Sequence, residues 1–246
     1  MVQVRADLHI HTVLSPCSSL GMSPGRIVQE AQGKRLDIIG ITDHNSTRQC
    51  AMVQRLASEK GIFTMMGAEI TTREEIHCLA FFPDYPELEW FQEYLENHQP
   101  KIPDKERKFG YQVLVDENDM ILEFIDHLLW TALDSSIDEV RQEVAGAGGI
   151  FIPAHIDRKA NGIISQIGFI PGNQGFDALE ISAGASESSI RSKFKIDENV
   201  TLIKSSDAHF PEQIGTGVTG FLVNEISFNE IRNALSNTGS KRTFIE

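Results

Sequence analysis

Five short segments, far apart in the chain, put histidine or a carboxylate where an apolar, β-rich run should end. They are Asp7-Leu8-His9-Ile10-His11, Thr42-Asp43-His44, Gly67-Ala68-Glu69, Pro153-Ala154-His155 and Ser206-Asp207-Ala208-His209, with His77 between the third and the fourth. Strand-like runs at 36–41, 150–152 and 200–203 lead directly into three of them. Six of the eight histidines are used in this way, which scatter would rarely produce. Imidazoles and carboxylates delivered together from many strand ends are what a cluster of divalent cations requires. Nitrogen donors suit zinc, iron or manganese, and a carboxylate can bridge two ions.

Between these segments, strand-like and helix-like patterns alternate. Residues 4–10 read as a first strand. Ser23-Pro24 supplies an N-cap with proline at the first helical position, and Gly33 ends that helix. A second strand runs to Thr42, and the next helix sets Met52, Val53 and Leu56 on one face before Gly61 stops it. Further strands are expected at 63–69, 76–82, 150–154, 176–181, 200–205 and 221–223, and Ser227-Phe228-Asn229-Glu230 forms a capping box before the last helix. Length alone would allow two small domains. The alternation instead predicts an α/β protein with a mostly parallel sheet, closed into a barrel as a single domain over 1–246.

Residues 84–134 break the rhythm. Leu88, Phe91 and Leu95 fall at helical spacing, residues 101–108 read as a charged, exposed loop, and 111–115 and 120–124 flank Asp116-Glu117-Asn118-Asp119 as a hairpin. A capping box at Ser136-Ile137-Asp138-Glu139 restores the βα pattern. The interruption is expected to be an insertion, a lid over one end of the barrel that helps select substrates.

The formal charge of −13 and the lack of a Lys/Arg cluster argue against binding duplex nucleic acid. Cys17, Cys50 and Cys78 are odd in number and lack CxxC spacing, so no disulfide framework is implied. Residues 1–7 carry no apolar signal core and no run is long enough to span a bilayer. A soluble cytoplasmic protein without membrane partners is expected.

His9 and His11 lie two apart on a strand, so both point to one face and can serve one cation without backbone distortion. Asp43-His44 and Asp207-Ala208-His209 repeat the logic after later strands. In order and spacing, Asp7-Leu8-His9-Ile10-His11-Thr12, Thr42-Asp43-His44, Glu69, His77, His155 and Ser206-Asp207-Ala208-His209 resemble the PHP (polymerase and histidinol phosphatase) superfamily. The resemblance runs from the first strand to residue 209, apart from the insertion. It implies a distorted (β/α)7 barrel, here with an insertion subdomain, and two or three divalent metal ions (Zn, Mn or Fe) at strand ends. Carried over by position, His9, His11, Glu69 and Asp207 would hold one metal. Glu69 would bridge to a second held by His77 and His155, and His44 and His209 would hold a third.

Three-metal members of that family often carry a further histidine where this chain has Cys17. Two readings stay open: a thiolate ligand, or a small buried hydrophobe. Arg158 is the candidate for gripping a phosphate, against an ordinary ion pair with Asp157 or a neighbour. Asp7 and Asp43 are expected to orient imidazoles, and His209 to lie near the leaving group. His98 and His127 read as solvated or structural.

The expected reaction is hydrolysis of a small phosphate ester, with a metal-activated hydroxide attacking phosphorus in line and Arg158 offsetting the charge that develops. Alternatives are an amidohydrolase-type C–N hydrolase, a phosphodiesterase or nuclease acting on nucleotide ends, and a non-catalytic metal-binding module. Glu69 stands where amidohydrolases often use a modified lysine. The retention of so many costly inward histidines argues against loss of turnover.

Overall fold

The computed structural model describes residues 1–104, 108–171, 175–237 and 242–245, so residues 105–107 of the expected charged loop lie outside the described residues. The chain begins β1 (Val2–Ile10), α1 (Pro24–Gly33), β2 (Ile38–Ile41), α2 (Cys50–Ser58), β3 (Phe63–Thr71) and β4 (His77–Phe82). Then come α3 (Tyr85–His98), the short pair β5 (Val113–Val115) and β6 (Ile121–Phe124), α4 (Ile137–Gly146) and β7 (Ile150–Pro153). The remainder holds α5 (Ile163–Ile167), β8 (Leu179–Ile181), α6 (Glu187–Phe194), β9 (Leu202–Lys204), β10 (Thr219–Val223), α7 (Phe228–Leu235) and β11 (Arg242–Ile245).

Seven strands form one curled sheet in the order β11-β10-β1-β2-β3-β4-β7. The parallel pair β8–β9 spans the gap between β7 and β1. On the β7 side, Ile156 N–H donates to Glu180 O at 2.9 Å and Asp177 N–H to Phe151 O at 3.1 Å. On the β1 side, Ala208 N–H donates to His9 O at 3.1 Å and His11 N–H to Ala208 O at 3.0 Å. The result is a distorted barrel of β1, β2, β3, β4, β7, β8 and β9, with β10 pairing along the first half of β1.

The sheet is less parallel than the alternation predicts. β4 runs antiparallel to both β3 and β7, and β10 and β11 are antiparallel as well. The reason is the connection after β3, where Thr72 N–H donates to Ile76 O at 2.9 Å. That turn is too short for the crossover a parallel neighbour needs. Its consequence is functional, because His77, the first residue of β4, now lies at the same end of the barrel as the last residues of β1, β2 and β3.

Two apolar clusters sandwich the sheet. Leu8, Ile38, Met65, Leu79, Phe81, Ile152, Ile203 and Phe221 pack together inside, joined by Phe228 and Ile231 of α7. Ile10, Ile39, Ile41, Ile70 and Ala80 face outward onto helix residues such as Ile27, Val53, Phe91 and Val140. Each side chain fully buried this way contributes about 1.5–3 kcal/mol. Leu88, Phe91 and Leu95 belong to this outer cluster, so α3 packs as a barrel helix, and the departure from the βα rhythm begins after it. Beyond α3, β5 and β6 pair as an antiparallel hairpin, of which β5 rests on Val13 and Leu14 in the loop after β1, with Ile125 just past β6 joining it while β6 itself is exposed.

Two capping boxes were expected. Before α4, Ser136 Oγ accepts from Glu139 N–H at 3.3 Å while Glu139 Oε2 accepts from Ser136 N–H at 2.7 Å. At α7, Ser227 Oγ accepts from Glu230 N–H at 3.3 Å, but Glu230 Oε2 accepts from Asn224 N–H at 2.9 Å.

Candidate metal centre

β1 does not present its histidines by simple alternation. Leu8 belongs to the inner cluster and Ile10 to the outer one, and the β1–β2 register shifts between Asp7 and Ile10. Such an irregularity re-aims side chains beside active sites, and here it lets His9 and His11 face inward on the same side as Leu8. Gly40 on β2 makes room for it, since a Cβ there would collide with the Leu8 carbonyl. The expectation of an undistorted strand is therefore corrected.

At that end of the barrel the imidazoles gather around one carboxylate. Glu69, 1% exposed, has oxygens 2.8 Å from His77 Nδ1, 3.0 Å from His155 Nε2 and 3.1 Å from His44 Nδ1. His11 Nε2 follows at 3.3 Å and His9 Nε2 at 3.4 Å. Asp207 Oδ1 stands 3.2 Å from both His9 Nε2 and His11 Nε2, which are themselves 3.2 Å apart. Four donors around a tetrahedral cation with metal–nitrogen bonds of about 2.0–2.1 Å stand roughly 3.3 Å from one another. The separations among His9, His11, Glu69 and Asp207 therefore fit a cation.

Outer partners fix which nitrogen faces that point. His9 Nδ1–H donates to Glu180 at 3.0 Å, and the same carboxylate accepts His155 N–H at 3.0 Å. His11 Nδ1–H donates to Ser15 Oγ at 2.9 Å, and Ser15 donates onward to Asp43 Oδ1 at 2.7 Å. His209 Nδ1–H donates to the Asp207 carbonyl at 2.9 Å. In His9, His11 and His209 the Nε2 lone pair is thus turned away from the outer partner, the arrangement in which carboxylates and carbonyls orient metal-ligating histidines. His155 Nδ1 is buried without a hydrogen-bond partner, and His44 Nδ1, though near Glu69, is not aligned for a hydrogen bond. An orphaned buried imidazole nitrogen is costly unless a ligand takes its lone pair. The residues present fit bound metal.

The electrostatics agree. Burial alone would push His9 and His11 toward neutrality. The Asp207, Glu180 and Glu69 carboxylates outweigh it and hold His9 well above its ordinary value, and bonds to Asp207 and Glu69 bring His11 up to about 9. Burial would raise Glu69 and Asp207, but the surrounding imidazoles hold both well below the usual carboxylate range. Burial and the nearby His11 lower His209 to about 3 and His44 to about 4, so both are neutral donors.

The donor groups that lie within 4.8 Å of one another are His9/His11/Glu69/Asp207, His44/Glu69/His77 and His11/His44/His209. His44 thus joins Glu69 and His77 within that distance, while His77 Nδ1 and His155 Nε2, expected together, both approach Glu69 Oε1, at 2.8 and 3.0 Å. Cys17 is half-buried and in none of the three groups, and burial pushes its thiol up to about 12. Two of the candidate ligands, His155 and Asp207, have left-handed backbones, with φ of 29° and 52°. For non-glycine residues such strain costs about 1–3 kcal/mol each and concentrates at functional sites.

Other expectations shift in detail. Asp43 touches no metal-facing nitrogen; it accepts from Thr12 N–H, Thr12 Oγ1–H and Ser15 Oγ–H, each at 2.7 Å, and reaches His11 only through Ser15. Asp7 accepts from the backbone N–H of Ser206 and Gly215 rather than from an imidazole. Arg158 pairs with Asp207, not Asp157, its Nη1 2.5 Å from Oδ2. His98 pairs with Asp134 at 2.7 Å, and His127 lies 3.4 Å from Asp126. Sequence reasoning missed Glu180, Ser15 and Asn45. Glu180 had one available signal, a lone carboxylate inside the apolar run Ala178-Leu179-Glu180-Ile181.

Barrel and donor set together define a metal-dependent hydrolase. The chain belongs to the PHP domain family, whose pattern matches residues 7–143, and the PHP-associated segment matches residues 199–238. An uncharacterized protein of Methanocaldococcus jannaschii, MJ1587, is 34% identical over 92 residues, covering 34% of this chain and 54% of that protein. The chain thus spans about half the length of this curated relative. The lesion-specific endonuclease PfuEndoQ of Pyrococcus furiosus superposes with a TM-score of 0.77 at 19% identity, over 98% of this chain and 58% of that one. Endonuclease Q in complex with a 27-mer duplex carrying an abasic lesion at the active site gives 0.69 at 18% identity, over the same 98% and 58%. At these identities the likeness is one of fold.

That likeness corrects the expectation that duplex nucleic acid is excluded, because a protein of this fold holds a duplex at its active site. The charge of −13 is a sum over the whole chain. Attraction for a phosphate is local, and carboxylates such as Glu69 and Asp207, counted as negative, would serve to hold cations. Among the described residues no helix is long and apolar enough to cross a membrane.

Proposed function

We propose that this chain hydrolyses a small phosphate ester with two or three divalent cations held by the His9, His11, Glu69, Asp207, His44, His77, His155 and His209 donors. The observation that carries the reading is Glu69, buried among five imidazoles with a second carboxylate, Asp207, 3.2 Å from two of them. Cations bound there would supply a hydroxide near neutral pH and polarise phosphoryl oxygens.

The chain's own residues do the rest. Arg158 is 45% exposed, so its guanidinium can turn to an incoming phosphate while the largely buried Asp207 keeps His9 and His11 at 3.2 Å. Glu180 and the Ser15–Asp43 pair hold His9 and His11 in one tautomer. His209 is held neutral, which suits it as a nitrogen donor rather than as an acid for the leaving group. Free cysteines fit a reducing, cytoplasmic setting.

A second reading, cleavage of a phosphodiester within nucleic acid, is favoured by the fold shared with Endonuclease Q over 98% of the chain. Metal-loaded protein offered p-nitrophenyl phosphate, bis-p-nitrophenyl phosphate and p-nitroacetanilide separates the classes. Turnover of the monoester supports the first reading and turnover of the diester alone supports the second. Turnover of the anilide alone would make the chain a C–N hydrolase.

A further inference from the structure

Asn45, the neighbour of His44, clamps a distant tryptophan beside the metal centre. Its side-chain amide donates to the carbonyls on either side of Trp130, to Leu129 O at 2.7 Å and Thr131 O at 2.9 Å. Its own N–H donates to Glu69 O at 2.9 Å, and its side-chain oxygen accepts Thr71 N–H at 3.0 Å. Leu128, Leu129 and Leu133 are buried around this clamp, while the indole between them is left partly at the surface. Its centre is 6.5 Å from the His44 ring, tilted by 66°, and 5.4 Å from the half-exposed Phe109, tilted by 65°. Neither ring lies parallel on the indole, so among the described residues no ring stacks on it face to face.

We propose that Trp130, with Phe109 beside it, is a shelf on which a nucleobase of the substrate stacks while its phosphoester lies at the His44 and Glu69 donors. The substrate class is then a nucleotide-bearing phosphoester. This rests on the phosphoesterase reading and narrows it. An indole whose flanking backbone is pinned next to a phosphate site suits a base because every base has a π-face and stacking needs no hydrogen-bond readout. The clamp also explains why the β4–β7 connection is tied to the loop after β2, since that tie sets the distance between ring and donors.

Two measurements test it. The chain has two tryptophans, Trp90 and Trp130, so a fluorescence change on titrating thymidine monophosphate into metal-loaded protein is assigned by its loss in Trp130→Phe. Hydrolysis is compared on p-nitrophenyl thymidine 5′-phosphate and methyl p-nitrophenyl phosphate, which share the diester and leaving group and differ in the nucleoside. Wild type should prefer the thymidylate ester, and Trp130→Ala should lower that preference about tenfold, within the range one stacked base is worth.

Saturable quenching by thymidine monophosphate or by a decathymidylate strand supports the shelf, the tighter of the two identifying a free nucleotide or a polynucleotide as the source. Quenching by phosphocholine alone, quenching that survives in Trp130→Phe, or loss of metal in that variant overturns it. If wild type hydrolyses neither these diesters nor p-nitrophenyl phosphate yet shows the Trp130-dependent quenching, the shelf stands and the phosphoesterase reading fails. If it hydrolyses both esters equally, the reading stands and the shelf fails.

Discussion

Replacing Glu69 by glutamine keeps the side chain's shape and removes the charge that five imidazoles share, at 2.8 to 3.4 Å. Losing an outer partner of a ligating histidine weakens metal binding about 10–100-fold. Glu69 is the one carboxylate common to two of the donor groups, so its loss should weaken binding by at least roughly 100-fold. At fixed free metal that removes about 2.7 kcal/mol of metal-dependent stabilisation. A chain of this size loses about 2–4 °C of melting temperature per kcal/mol, so the metal-induced rise in Tm should shrink by roughly 5–11 °C. The rise is the quantity to compare, because Glu69→Gln also removes a negative charge from beside five imidazoles in metal-free protein. Melting curves with and without Zn²⁺ or Mn²⁺, beside elemental analysis, measure it. A rise within about 2 °C of wild type, at equal metal content, would refute the bridging role.

Glu180→Gln should lower metal affinity about 10–100-fold by releasing the His9 imidazole, and anomalous-scattering maps should show the depletion between His9 and Asp207. Depletion confined to the His44 and His209 side would count against that assignment. Arg158→Ala should cut kcat/KM for a phosphoester by about 100-fold. It should also tighten metal binding, since it frees Asp207 from a competing cation; weaker metal binding would show that Arg158 supports the site instead. Cys17→Ser should keep the full metal stoichiometry, and the loss of one equivalent would make the thiolate a ligand after all.

Side-chain type and strand period make much of this centre readable from sequence. His-x-His at a strand end, a lone Glu69 ending another apolar run and Asp-x-His near residue 207 converge because strand ends of one barrel converge. What the sequence hides is set by pairing. The β1 irregularity depends on contact with Gly40 across the sheet, and the antiparallel direction of β4 depends on how five residues turn. Glu180 acts on His9 only because β8 closes the barrel beside β7, which no local pattern encodes. Asp43 looks catalytic by its position next to His44, yet its bonds to Thr12 and Ser15 appear only when the loops after β1 and β2 meet. The apolar stripe of α3 reads from sequence as part of a lid, and its packing against Phe82 instead makes it a barrel helix.

The most direct measurement is turnover of a p-nitrophenyl phosphoester as metal is added back, equivalent by equivalent, to metal-free protein. The account predicts no turnover without metal and a rise that continues past the first equivalent, because Glu69 belongs to two donor groups. Turnover that is complete at one equivalent, or that persists in metal-free protein, would contradict a multinuclear centre.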